Sequence, residues 1–301
     1  ILQPMKVETN YIGTFNDVQL YVRREDLIHP LISGNKFRKL FYNLQYIQEQ
    51  QYTSVLTFGG AHSNHIAATA FAAFKNKVNA IGVIRGDELM DSKLWSPTLI
   101  QAHQWGMQFV FVSRNDFRVL KTNTAYWQSL YPKAYILPEG GTNSLAIKGC
   151  SEILTPEDIC YDFIATAVGT GGTISGLIHA NLPNVKILGF PALVGDFLRQ
   201  DICSFASGNN WDLINGYEFG GYGKITPELI AFINTFYRDF KIPLDPIYTG
   251  KAMFGILDKI QSGYFPKGSK ILFIHTGGLQ GISGVNAILQ KKKQPLIQVY
   301  E

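Results

Sequence analysis

The stretch Val168-Gly169-Thr170-Gly171-Gly172-Thr173 follows an apolar run and opens a helix-like segment. Glycines let the backbone approach an anion closely, and the N–H groups at a helix start favour negative charge. The chemistry this suits is the cradling of a phosphate. The ending Gly-Lys-Ser/Thr of a nucleoside-triphosphate loop and the GxGxxG of a dinucleotide site are both missing, so the phosphate belongs to something smaller. A tight turn without a ligand is the plainer alternative. Ser33-Gly34-Asn35-Lys36 places a lysine near the start of an amphipathic segment, with Arg38 and Lys39 following. Most lysines are solvated surface groups. Here a helix N-terminus and neighbouring cations disfavour the ammonium form, as an imine-forming lysine needs. Gly59-Gly60-Ala61-His62-Ser63-Asn64-His65 offers a hydroxyl, an amide, imidazoles and N–H groups, a set suited to a carboxylate. Helix capping by Ser63 or Asn64 is the plain alternative. His62 and His65 have no third ligand at a useful spacing, so no metal is expected. Asp245-Pro246-Ile247-Tyr248-Thr249-Gly250-Lys251 and Ile274-His275-Thr276-Gly277-Gly278 complete the set, and neither a Gly-x-Ser-x-Gly elbow nor HExxH occurs.

These residues need elements to carry them. Strand-like runs lie at Val55–Phe58, Ala80–Ile84, Gln108–Val112, Tyr135–Leu137, Phe163–Val168, Lys186–Phe190 and Ile271–Ile274. Phe37, Leu40, Phe41, Leu44 and Ile47 repeat at helical spacing, with Ser33 or Asn35 expected as the cap. Further helices are expected from Ser63 to Phe74, from Pro97 to Trp105, through 116–130, and after Gly171, Leu193, Pro227, Gly250 and Gly278. The alternation predicts an α/β fold with mostly parallel sheets. In such sheets ligands sit at the carboxyl ends of strands. Gly59-Gly60, Gly140-Gly141, Gly169/Gly171/Gly172 and Gly277-Gly278 fall at those ends, so four loops are expected to converge on one crevice.

Composition narrows the function classes. The 301 residues are 46% hydrophobic and 17% charged, with 15 Tyr, 20 Phe and 4 Trp, which suits a globular protein of two domains or one large one and excludes disorder. A net charge of +4, spread along the chain, argues against nucleic acid, and Lys291–Lys293 reads as a solvated basic run. Cys150, Cys160 and Cys203 are too few and scattered for a disulfide framework, which suits a reducing compartment. No apolar run approaches the ~18 residues of a membrane helix, and no leader pattern opens the chain. The expectation is a soluble, cytoplasmic protein with no membrane partner.

As an ordered set these segments resemble the fold-type II pyridoxal-phosphate enzymes, and among them the family of 1-aminocyclopropane-1-carboxylate (ACC) deaminase and D-cysteine desulfhydrase. The stretches carrying the resemblance are Arg24-Glu25-Asp26-Leu27, Ser33 to Leu40, Ser63-Asn64-His65, Gly169 to Thr173, Gly221-Tyr222-Gly223, Leu244 to Lys251 and His275 to Gly278. The resemblance implies two α/β domains, tryptophan synthase β-like, with residues 1–39 plus 146–301 as the large one and 40–145 as a small inserted one. Pyridoxal 5'-phosphate would lie in the cleft between them. It implies that Lys36 forms the Schiff base with the cofactor and then moves the substrate proton. Asn64 would bond the cofactor's phenolic oxygen, and Ser63 the substrate carboxylate with Asn64 and His65 beside it. Gly169, Thr170, Gly171, Gly172 and Thr173 would hold the phosphate. Tyr222 and Tyr248 would flank cofactor and substrate, Thr249 would meet the pyridine nitrogen, and Thr276 would lie near the cofactor. This sequence departs from the family pattern at His62, where glutamine is usual, and at Ile66-Ala67-Ala68, where a polar pair is usual.

Thr249 discriminates among reactions. ACC deaminases carry a glutamate at this place, as the resemblance implies, and an ionised carboxylate keeps the pyridine nitrogen protonated and the ring a strong electron sink. A threonine makes a weaker sink, which suffices when a thiolate leaves the β-carbon. The expected function is therefore a lyase acting on a small amino acid: D-cysteine desulfhydrase, giving pyruvate, hydrogen sulfide and ammonia. ACC deamination to 2-oxobutanoate and ammonia is the alternative, and a non-catalytic cofactor- or amino-acid-binding protein is the alternative from another class. A homodimer is implied by the resemblance.

Overall fold

A computed structural model describes residues 6–298. The chain opens with an antiparallel hairpin, β1 (Thr9–Phe15) and β2 (Val18–Arg23), turned at Asn16 and Asp17, both at positive φ. There follow α1 (Asn35–Glu49), β3 (Ser54–Gly59), α2 (Asn64–Lys75), β4 (Asn79–Arg85), α3 (Pro97–Gln104) and β5 (Gln108–Val112). Next come α4 (Arg114–Leu120), α5 (Thr124–Leu130), β6 (Ala134–Ile136), α6 (Ser144–Ser151), β7 (Phe163–Val168) and α7 (Gly172–His179). The last are β8 (Lys186–Pro191), α8 (Phe197–Phe205), β9 (Trp211–Leu213), α9 (Pro227–Phe240), α10 (Thr249–Gln261), β10 (Lys270–Ile274) and α11 (Ile282–Lys291).

Two sheets result, a six-stranded one ordered β1-β2-β10-β7-β8-β9 and a four-stranded one ordered β5-β4-β3-β6. Every pairing apart from β1–β2 is parallel, as the expected α/β class requires. The inner strands of each sheet are buried on both faces. Along β10, Ile271 and Phe273 enter one core while Leu272 and Ile274 enter another. Along β4, Ala80 and Ile84 face α1 and α2, whereas Ile81 and Val83 face Phe117 and Trp127. The four strands of the smaller sheet come from one stretch of chain, set between strands of the larger sheet.

Some local expectations are corrected. The helix expected through 116–130 is two, α4 and α5, because the Asn123 side chain accepts from Tyr126 N and restarts the helix. Neither Ser33 nor Asn35 caps α1. Its N-cap is Gly34 at φ 64, while Ser33 Oγ donates to Asp26 O. Residues 39 and 40 lie within α1, and residues 145 and 146 within α6. β1, β2, β9 and α6 lay outside the sequence reading; β1 and β9 are edge strands, and β9 has only three residues.

Gly34 shows why the lysine segment starts as it does. A Cβ there would overlap the Thr276 carbonyl, and Asn35 N donates to that same oxygen at 3.2 Å. Gly34→Ala is therefore expected to lower stability by about 3 kcal/mol, combining a left-handed backbone with overpacking. The shift of the urea midpoint against wild type measures it, and an unchanged midpoint contradicts the packing described.

Candidate active site

The starts of α1, α2, α7 and α10 and the loops after β6 and β10 meet through a continuous series of close contacts. Asn35 Nδ2 donates to Thr173 Oγ1 at 2.8 Å, which ties α1 to α7. A Cβ at Gly169 would lie 3.1 Å from the Tyr248 ring, at Gly140 2.9 Å from Thr170, and at Gly278 3.2 Å from Asn64 Nδ2. The sequence-predicted residues are thus brought together at the carboxyl ends of β3, β7 and β10, as open parallel sheets favour.

Lys36 sits in the first turn of α1, partly accessible, and makes no hydrogen bond or ion pair among the described residues. Burial and the neighbouring Lys39 ammonium lower its pKa to about 7. Lys39, three residues on and so on the same helix face, is 2% exposed. Its Nζ donates to Gly140 O and Thr142 Oγ1, 3.0 Å each, and no carboxylate faces it. A Cβ on Gly172 would lie 2.7 Å from Thr142 Oγ1 and 3.0 Å from Lys39 Nζ. The glycine loop, left-handed at Gly171 with φ 79, thus carries a buried cation against its helix N-terminus. A phosphate dianion fits this donor set in charge and in chemistry. From sequence Lys39 was read only as a cation neighbouring Lys36, and Thr142 was not singled out. The spacing of three from Lys36 was the available signal.

Ser63 caps α2, accepting from Ile66 N at 3.3 Å, which leaves its own proton free to donate to a carboxylate. Asn64 begins that helix beside Gly278 and Gly281. His65 is placed differently from the expectation of a substrate contact: it is 2% exposed, with Nε2 2.7 Å from Thr57 Oγ1. Thr57 donates to Leu137 O, so His65 Nε2–H is the donor and Nδ1 is a buried, unpartnered lone pair beside Gly141. Burial, together with the Lys36 and Lys39 charges, holds the pKa of His65 well below its ordinary value and keeps it neutral.

Tyr248, the N-cap of α10, lies with its ring 6.1 Å from that of the half-exposed Tyr222. Burial and Tyr222 push its phenol well above the usual range, so it remains a donor. Thr249 departs from expectation. It is 0% exposed, and its hydroxyl accepts from Asp245 N and donates to Asp245 Oδ1, both at 2.8 Å. Its proton is committed, so it has none to give a ring nitrogen. Asp245, missed in the sequence reading, accepts further from the backbone N–H groups of Ile247, Tyr248 and Thr249. Thr276 is 8% exposed, and its carbonyl accepts from Asn35 N. The neighbouring His275 donates from Nε2 to Pro243 O and accepts Gly277 N at Nδ1, which fixes the turn. Among the described residues no group of three or more side chains suits a metal.

A lysine amine of lowered pKa beside a glycine cradle holding a buried cation, between two parallel sheets, defines an α/β enzyme using a phosphorylated carbonyl cofactor. Residues 4–277 match the family described as pyridoxal-phosphate dependent enzyme, and the chain belongs to that family. A bifunctional D-cysteine desulfhydrase/1-aminocyclopropane-1-carboxylate deaminase, mitochondrial, of Arabidopsis thaliana is 30% identical, covering 91% of this chain and 75% of its own. A D-cysteine desulfhydrase of Yersinia pestis is 28% identical over 92% of this chain and 90% of its own. The crystal structure of an ACC deaminase homologue superposes with a TM-score of 0.82 and 29% identity, covering 97% of this chain and 95% of that one.

In the cofactor-free protein, competitive acetylation of Lys36, located by mass spectrometry, is expected to rise with pH through a midpoint of about 7. The amine is reactive above that pH and protonated below it, whereas an unperturbed lysine has its midpoint at about 10.4. A midpoint above about 9 contradicts the burial and Lys39 repulsion that lower it.

Proposed function

We propose that this protein is a pyridoxal-phosphate-dependent lyase that eliminates the β-substituent of a small amino acid, with D-cysteine as substrate and pyruvate, hydrogen sulfide and ammonia as products. The observation that carries this reading is the Lys36 amine, its pKa lowered to about 7 by burial and by Lys39, three residues from that buried lysine at the glycine loop. Residues Gly169 to Thr173 and Lys39 would hold the phosphate, Asn64 the ring's phenolic oxygen, and Lys36 the aldehyde carbon. Bound there, the cofactor supplies an electron sink for charge developing at the substrate α-carbon. Ser63 at the start of α2 binds and orients the carboxylate with its free hydroxyl proton and the helix N-terminus. Lys36 Nζ, neutral at working pH, takes the α-proton. Tyr248, kept protonated, and Tyr222 close the substrate side and offer donors. His65 supports the glycine turn at Gly141 and does not touch substrate. In the same reading the smaller sheet with α1 to α5 is a domain inserted into the larger one. The protein works as a homodimer in a reducing cytoplasm, for which the unpaired Cys150, Cys160 and Cys203 are suited.

Position 249 favours D-cysteine, because no carboxylate stands there to protonate the ring nitrogen. A second reading, ACC deamination, is favoured by Asp245, whose Oδ1 lies one hydrogen bond behind the Thr249 hydroxyl and draws its lone pair toward a protonated nitrogen.

Offering D-cysteine and ACC separately to cofactor-loaded protein, and measuring sulfide, ammonia and 2-oxo acid, tests both readings. Sulfide with pyruvate from D-cysteine alone is the expected result. 2-Oxobutanoate from ACC establishes the second reading, and a stable complex with neither product establishes a binding protein instead. Lys36→Ala is expected to cut D-cysteine turnover by about 10³-fold or more, the scale of a lost proton-transfer group. Turnover at the wild-type rate removes Lys36 from the mechanism.

A further inference from the structure

Lys251 lies on the first turn of α10, two residues beyond Thr249, and is 1% exposed. Nothing in the chemistry above uses it. Its Nζ donates to Glu218 O and Gly221 O, 2.8 Å each. These carbonyls close two successive turns, since Gly221 N donates to Glu218 O at 2.9 Å and Lys224 N to Gly221 O at 3.2 Å. Phe219, Gly220, Gly221 and Gly223 all have positive φ, and the stretch is neither helix nor strand. Its upstream end is anchored by Tyr217, whose hydroxyl donates to Asp258, and by Phe219 packed edge-on against Phe254. The part that carries Tyr222 lies beyond those anchors.

The ammonium has no ion-pair partner among the described residues. The Glu218 carboxylate accepts from Gly216 N, and that of Asp245 is taken by Thr249 and the turn at 247–249. A methionine of similar volume would fill the space without the cost of burying a charge. What the ammonium adds is two directed bonds to loop carbonyls.

We propose that Lys251 is a positioning residue, which fixes the glycine-rich loop by its Glu218 and Gly221 carbonyls and so presents Tyr222 to Tyr248 and the substrate. This rests on the reading of Tyr222 as an active-site phenol. The test uses cofactor-loaded wild type, Lys251→Met, Tyr222→Phe and the double variant, with steady-state kinetics on D-cysteine and hydrogen exchange of residues 218–224. In Lys251→Met, exchange of the 221–224 amides is expected to quicken and kcat to fall about 10-fold, within the range for a misplaced active-site group. Cofactor retention and its absorption spectrum are expected to stay as in wild type. Adding Lys251→Met to Tyr222→Phe is expected to cost nothing further in kcat, because the two act through one group. Losses that multiply, or a loop as protected as in wild type, overturn the proposal. A Tyr222→Phe enzyme as fast as wild type overturns the reading of Tyr222 and the positioning role with it, whereas the exchange data judge the tether separately. Should Lys251→Met fail to fold, Lys251→Gln, with its shorter reach, carries the same expectations.

Discussion

Two lysines on one face of α1, with no carboxylate near either, set the terms for what surrounds them. Lys39 is buried on a carbonyl and a hydroxyl, so its charge remains largely unneutralised. That charge and burial keep the Lys36 amine near neutrality and hold His65 in its uncharged form. The same charge gives the glycine loop at the start of α7 a donor set that would suit a doubly charged phosphate. In the proposed reading one cation would serve both ends of the cofactor: it would attract the phosphate and add to the burial that lowers the pKa of Lys36.

Such an arrangement needs firm backing, and it is supplied by buried carboxylates that touch no reacting group. Glu25 pairs bidentately with Arg38 at 2.8 and 2.9 Å, which clamps α1 between its two lysines. Asp26 holds Arg24 in the same way, and its backbone carbonyl takes Ser33 Oγ. Asp245 gathers the start of α10. Buried ion pairs contribute little net stability compared with apolar packing, but they fix geometry, because breaking one strands a charge. The segment Arg24-Glu25-Asp26-Leu27 is thus a brace for the lysine helix.

The Asp245–Thr249 unit changes how the reaction is read. A free threonine hydroxyl would share a neutral bond with the ring nitrogen, leaving it unprotonated. Here the proton points to Asp245, and the oxygen has a lone pair to offer, which suits a protonated nitrogen better than a bare one. If Thr249 meets the ring nitrogen as proposed, the electron sink would be stronger than threonine by itself suggests, though weaker than with a carboxylate in direct contact.

The sequence by itself determined the α/β class and most strands, and placed the glycine loops at strand ends and Lys36 at a helix start, because these depend on local signals: apolar runs, helical spacing and the positions of glycines. Gln108–Val112 and Phe163–Val168 were legible to the residue. Tertiary structure decided what depends on partners distant in the chain. That Lys39 is buried against Thr142, that His65 turns inward to Thr57, and that Lys251 reaches back to Gly221 follow from how loops from the two sheets meet. The tie of the Thr249 hydroxyl to Asp245, four residues away, could not be read from the sequence, because the direction of a hydroxyl proton is set by the fold of the turn and not by residue type. Residue types supply donors and charges. Which of them stay free for chemistry is decided by the three-dimensional count of hydrogen bonds.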